Sequence, residues 1–186
     1  MASNPAIALW LQSLRPVGRV AELGSLGGTT PHAMFNRLFG KKKAEPPPDD
    51  RWTVAQGEDN GLPLIFRIRN QRPHGVEPPA YPHLIAVSWP YEPANEFGMP
   101  SSDVTALMTQ FEELLDRALE GSQSAFLTVV VTGNGTREWQ WYSRSPEETM
   151  GLVNQALTGY EPFPVQFSIQ DDPQWEAYRR FQPTGG

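Results

Sequence analysis

The sequence predicts an α+β fold built from one sheet and two principal helices. Three observations carry this. Period-two alternation recurs in LPLIFRIR (62–69) and PVQFSIQ (164–170), as expected of strands with unlike faces. Val104, Leu107, Met108, Phe111, Leu115 and Ala118 recur at helical spacing. Asparagine–glycine pairs stand at 60–61 and 134–135, where tight hairpin turns need positive φ.

WTVAQ (52–56) reads as a short strand and GEDNG (57–61) as a turn. In LPLIFRIR, Leu62, Leu64, Phe66 and Ile68 take one face, and Ile65, Arg67 and Arg69 take the other. QRPHGVEPPAYP (71–82) is a loop, and HLIAVSW (83–89) is a strand with Ile85, Val87 and Trp89 on its larger face. The irregular PYEPANEFGMPSS (90–102) leads into the first helix, which Ser101 or Ser102 caps and Gly121 stops. Its Glu112, Glu113, Asp116 and Glu120 fall mainly on the solvent side. AFLTVVVT (125–132) and REWQWYS (137–143) are partner strands. Ser145 is the natural cap of the second helix, with Pro146 in its first turn and Glu148 completing a capping box. Met150, Val153 and Leu157 form its buried stripe, and Gly159 ends it. Val165, Phe167 and Ile169 point inward from the last strand. DDPQWEAYRRF (171–181) closes the chain as a short helix, capped by an aspartate with Pro173 in the first turn. Its Trp175, Tyr178 and Phe181 lie three apart and can dock it over the sheet's second face.

The order from His83 to Gln170 is βαββαβ. Right-handed crossovers put both helices on one face of a four-stranded, ferredoxin-like sheet. Here it is extended by an N-terminal hairpin and a short C-terminal helix. No internal repeat is visible.

TGNGTREWQWY (132–142) poses a chemical question, because glycines and tryptophans also occur in phosphate loops and base-stacking platforms. A two-residue loop at Asn134-Gly135 pairs Val130 with Trp139 and mixes both faces. A three-residue loop, Gly133 to Gly135, pairs Val129 with Trp139 and Leu127 with Trp141, leaving one face apolar. The expectation of a single-sided sheet selects the second register and makes both tryptophans core. No G-x-x-x-x-G-K-[ST] motif occurs.

Composition bounds the function. The 186 residues contain no cysteine, which excludes thiolate chemistry and suits a cytoplasmic location. No apolar run reaches the length of about 18 residues that a membrane helix needs. Residues 1–43 hold six basic groups and one acidic, net +5; the remainder holds nine basic and 20 acidic, net -11. A domain at -11 disfavours nucleic acid and accommodates a basic protein partner. KKKAEPPPDD (41–50) marks a linker, so residues 1–50 are expected to be a tail and residues 51–182 one domain. Residues 1–33 are either a genuine tail or precede a natural start at Met34. MFNRLFGKKK (34–43) groups Phe35, Leu38 and Phe39 before lysines, which is too short a piece for firm anchoring on anionic lipid.

Chemistry-bearing motifs are sparse. His32, His74 and His83 have no ligand spacing, and no G-x-S-x-G elbow occurs, so no cofactor, metal or catalytic residue is expected. Two binding surfaces remain. One is the acidic helix face with Glu112 and Asp116. The other is the loop from Trp89 to Pro100, which carries Trp89, Tyr91, Phe97 and Met99 and is long for a structureless connection. Arg67 and Arg69 beside that loop form an alternative site for an anion or small molecule. Oligomeric state is not legible.

The ordered set of Trp52, GLPLIFRIR, YPHLIAVSWPYE, GMPSS, TGNGTREWQWYS and DDPQWEAY resembles the bacterial family catalogued as domain of unknown function 695, over roughly Trp52 to Phe181. That family has no assigned reaction, cofactor or catalytic residue. Some members look to be fused to a domain similar to the protein inhibitor of ribonuclease E. The resemblance thus implies a regulatory or protein-binding role.

Overall fold

The computed structural model describes residues 51–182. The expected tail, the linker at 40–50 and the MFNRLFGKKK piece lie outside the described residues. Within them the fold is mixed α and β. Strands β1 (Trp52–Asp59), β2 (Leu62–Arg69), β3 (His83–Pro90), β4 (Ala125–Gly133), β5 (Thr136–Ser143) and β6 (Gln166–Asp171) form one sheet. Helices α1 (Ser102–Leu119), α2 (Pro146–Ala156) and α3 (Glu176–Arg179) accompany it. The sheet order is β1-β2-β4-β5-β3-β6, and every neighbouring pair is antiparallel.

Both faces of this sheet are covered: the second is apolar under the C-terminal segment, which corrects the expectation of one apolar and one mostly polar face. Ile85, Val87, Trp89, Leu127, Val130, Trp139 and Trp141 pack with Met108, Phe111, Leu115 and Leu119 of α1 and Val153 of α2. On the opposite face Leu64, Ile68, Leu84, Val129, Val131 and Tyr142 pack with Trp175, Ala177 and Tyr178 of the C-terminal segment. All nine residues of the central strand β4 are therefore buried.

The β4–β5 hairpin uses the register that sorting into apolar and polar faces rejects. Gly133 pairs with Thr136 and Val130 with Trp139, so the loop is the two residues Asn134 and Gly135, with φ of 48° and 75°. Both values suit the turn whose twist matches the strands. A β-bulge between Leu127 and Val129 then absorbs one residue, and Leu127 meets Trp141 after all. The bulged Thr128 donates its hydroxyl to the Gln140 carbonyl at 3.0 Å. The tryptophans reach one apolar layer through this bulge, not through a longer loop. Trp139 and Trp141 are 0% and 1% exposed.

The helix starts follow the sequence. The Ser101 hydroxyl accepts from the Val104 amide, and Ser145 accepts from Glu148 with Pro146 opening α2. Other expectations are corrected. Leu107 is exposed and Leu119 takes its place in the core, because α1 turns a slightly different stripe to the sheet. The helix does end ahead of Gly121, with Glu120 as its C-cap, and the left-handed residue of the turn that follows is Gln123. Ile169 on the edge strand β6 is exposed, not inward. Only Glu176–Arg179 is helical at the end of the chain. Pro173 lies in a turn before it, and Trp175 takes a left-handed conformation with φ of 55°.

Candidate functional site

Strand alternation sends Arg67 and Arg69 toward α1, and the helical repeat stacks Glu112, Asp116 and Glu120 one turn apart above them. Arg67 forms an ion pair with Glu112, and Arg69 Nη2 lies 2.6 Å from Glu120 Oε1. The Trp52 ring lies against both guanidiniums, with centroid distances of 4.9 Å and 5.1 Å. Glu112 Oε2 also accepts from the Trp139 indole at 2.7 Å, and Glu120 Oε1 accepts from the Leu127 amide at 3.0 Å. Two of the four acids expected on the solvent side thus turn inward. The reason is that a buried guanidinium, Arg69, and a partly buried one, Arg67, draw counter-charges. Arg69 is buried, and its charge is engaged within the molecule.

Asp116 sits between these acids with its side chain reaching solvent. Partial burial, then the charges of Glu120 and Glu112, raise its pKa from 3.8 to about 6; Arg69 and Arg67 oppose this. It lines a shallow cleft of about 320 Å³ with Glu113 and Arg117 on the outer face of α1.

The second candidate region is the loop after β3. Trp89 is not part of its surface: it is buried against Phe111, Trp139 and Phe163. Beyond it the chain is stitched to the β4–β5 turn. The Tyr91 amide donates to the Gly135 carbonyl at 2.8 Å, and the Gly135 amide donates to Gly98 at 3.1 Å. The Tyr91 hydroxyl donates to the Gly98 carbonyl at 3.0 Å. Burial raises the Tyr91 pKa, with Arg137 pulling it back. Asn95 Oδ1 accepts from the amides of Phe97 and Met99, at 3.0 and 3.2 Å. Gly98 has a φ of 72°, and a Cβ there would stand 3.0 Å from the Asn134 amide nitrogen, so only glycine passes. Asn134 Nδ2 reaches across to Asp59 Oδ2 at 3.0 Å, which brings in the tip of the β1–β2 hairpin. Three connections therefore meet at one end of the sheet. Phe97 projects from this junction with 56% of its surface exposed, and Glu92 and Glu96 of the same loop are exposed as well. Met99 is half-buried beneath.

The structure thus groups Tyr91, Phe97 and Met99 in one place, and Arg67 with Glu112 in another. Sequence reasoning missed Asn95, Asn134 and Asp59 as the fasteners of the loop. The asparagine two residues before Phe97 was the available signal, since such side chains bond backbone amides just downstream. It also missed a cleft of about 650 Å³ between residues 70–78 and 174–182. Among the described residues no group of three histidines, cysteines or carboxylates is placed to hold a metal ion. No described helix is long and apolar enough to cross a membrane.

Comparison with known families gives one match. The model of a family of unknown function (DUF695) matches residues 50–182. The chain belongs to DUF695. The match takes in every described strand and helix, and with them both candidate regions. No curated protein and no solved structure matches this DUF695 chain.

Proposed function

We propose that this DUF695 domain is a non-enzymatic module that recognises a basic protein partner, with Phe97 as the anchor. The observation that carries the reading is the contrast at Phe97. Its loop is fastened through Asn95, yet the ring stands in water on a loop that also exposes Glu92 and Glu96. An aromatic held ready on rigid backbone loses little entropy when covered, and aromatic anchors dominate interface energetics. The exposed glutamates of the same loop favour a positively charged partner. Glu113 and Asp116 offer further acidic groups on the outer face of α1, and Leu107 is an exposed apolar side chain of the same helix. The alternative, an anion or substrate site at Arg67 and Arg69, is weakened by their pairing with Glu112 and Glu120.

The same reading takes residues 51–182 as one domain, working in the cytoplasm. It also takes β3-α1-β4-β5-α2-β6 as a ferredoxin-like unit, a view supported by the order β4-β5-β3-β6. The test is affinity capture from the native cell with the full chain, with a chain lacking residues 1–43, and with Phe97→Ala. One stoichiometric basic protein is expected with the first two. Phe97→Ala is expected to weaken its binding by at least about 2 kcal/mol, roughly thirtyfold. Undiminished capture by Phe97→Ala, or clean recovery of the domain alone together with turnover of a metabolite, overturns the reading.

A further inference from the structure

The cleft between residues 70–78 and 174–182 lies at the other end of β2 from the Phe97 junction. An eight-residue strand separates the two, about 26 Å of extended chain. The charge of this cleft runs against the charge of the domain. Residues 44–186 carry net -11, yet the lining holds Arg72 and Arg179 against Glu77 alone. The two arginines come from opposite walls. Arg72 stands in the connection after β2, and Arg179 ends α3. Gln174 and Gln182 add neutral donors on the second wall.

The floor is fixed. Trp175 stacks on Tyr142 with centroids 4.1 Å apart, and its indole donates to the Tyr81 carbonyl at 2.9 Å. Tyr178 donates its hydroxyl to the Arg69 carbonyl at 2.7 Å, and Gln182 Nε2 donates to the same oxygen at 3.2 Å. Burial drives the Tyr178 pKa up to about 12, so its hydroxyl keeps its proton and adds no negative charge. The first wall is also shaped. Gly75 takes a φ of 78°, and the Val76 amide donates to the Pro73 carbonyl at 3.0 Å, which closes a turn with His74 at its corner.

Arg72 has one partner in this region, Glu77, at 3.3 Å with both side chains well exposed. Exposed pairs of that kind are weak and readily exchanged for a better acceptor. A planar carboxylate is satisfied by a single arginine fork. A phosphate offers acceptors in several directions, which suits donors arriving from two walls.

We infer that this cleft binds a phosphate-bearing small molecule, with Arg72 and Arg179 closing on the phosphate from opposite sides. Trp175 and Tyr178 form the floor beneath it. The site is separate from the Phe97 surface and does not depend on it.

The test is a titration of the full chain with inorganic phosphate, glucose 6-phosphate and glucose, followed by backbone amide shifts. Saturable shifts in residues 70–78 and 174–182 are expected with both phosphates and not with glucose. Arg72→Gln and Arg179→Gln should each weaken binding about tenfold, the loss of one charge-assisted hydrogen bond. Both side chains are at the surface, so the fold is retained. Arg117→Gln, exposed and outside the cleft, should leave binding unchanged. No saturable shift, equal shifts with glucose, indifference to Arg72→Gln and Arg179→Gln, or an equal loss in Arg117→Gln would each overturn the assignment.

Discussion

Asp172 accepts hydrogen bonds from three donors while almost fully buried. Its Oδ1 takes the Glu176 amide at 2.8 Å, and its Oδ2 takes the Ala177 amide at 3.0 Å and the Tyr142 hydroxyl at 2.5 Å. One carboxylate thereby caps α3 and ties it to β5 beneath. Burial, with Asp172 as a further cause, pushes the Tyr142 hydroxyl well above the ordinary tyrosine range, so it remains a donor. Asparagine at position 172 would set an N–H against one of these donors. Asp172→Asn is expected to lower stability by about 2 kcal/mol, read as a lower urea midpoint at unchanged slope. Tyr142→Phe, which removes one donor from Asp172 and the acceptor of the Tyr178 amide at 3.3 Å but leaves the Glu176 and Ala177 amides served, should cost about 1 kcal/mol. Asp-Asp-Pro pointed to an aspartate that serves helix amides, but placed it at the N-cap, a position that Trp175 takes three residues later. The partner on β5 was not legible, because 30 residues separate Tyr142 from Asp172 and no local pattern marks the pair.

At the scale of elements, α1 is tied to β2 through charges. Arg67 and Arg69 face Glu112 and Glu120, and Asp116 is the surplus carboxylate between them. Its pKa rises from 3.8 to about 6 on folding. In that window the folded chain holds a proton that the unfolded chain has released, so stability falls as pH rises from about 4 to 6. Asp116→Asn removes the penalty. The variant should match the parent near pH 4 and exceed it by about 1 kcal/mol at pH 7, a figure reduced for solvent screening. Urea midpoints at the two pH values check this. The strands and helices themselves were readable from periodicity and caps. The hairpin register was not, because alternation arguments assume an unbroken period of two. Thr128 breaks that period without a glycine or proline to announce it. The inward turn of Glu112 and Glu120 was equally hidden. Helical spacing fixes which residues share a stripe, not which stripe finds the arginines of β2.

For the whole molecule, the decisive feature is a sheet covered on both sides by unequal layers. Two helices cover one side, and a short C-terminal segment covers the other with Trp175, Ala177 and Tyr178. Spacing of aromatics three apart anticipated that second layer, although only four residues of it are helical. A chain ending at Asp171 would expose Leu84, Val129, Val131 and Tyr142 to water. Losing two large buried aromatics costs several kcal/mol, comparable with the whole stability of a small domain. Such a chain is expected to lose its cooperative urea transition and its near-ultraviolet circular dichroism. A normal transition would show that the second layer is ornament. The junction at the opposite end has a different consequence. Because the turns around Gly98, Asn134 and Asp59 are laced together, that tip cannot remould itself around a visitor. Adaptation must come from the other molecule, and shapes that misfit by a methyl group will depart sooner instead of being accommodated.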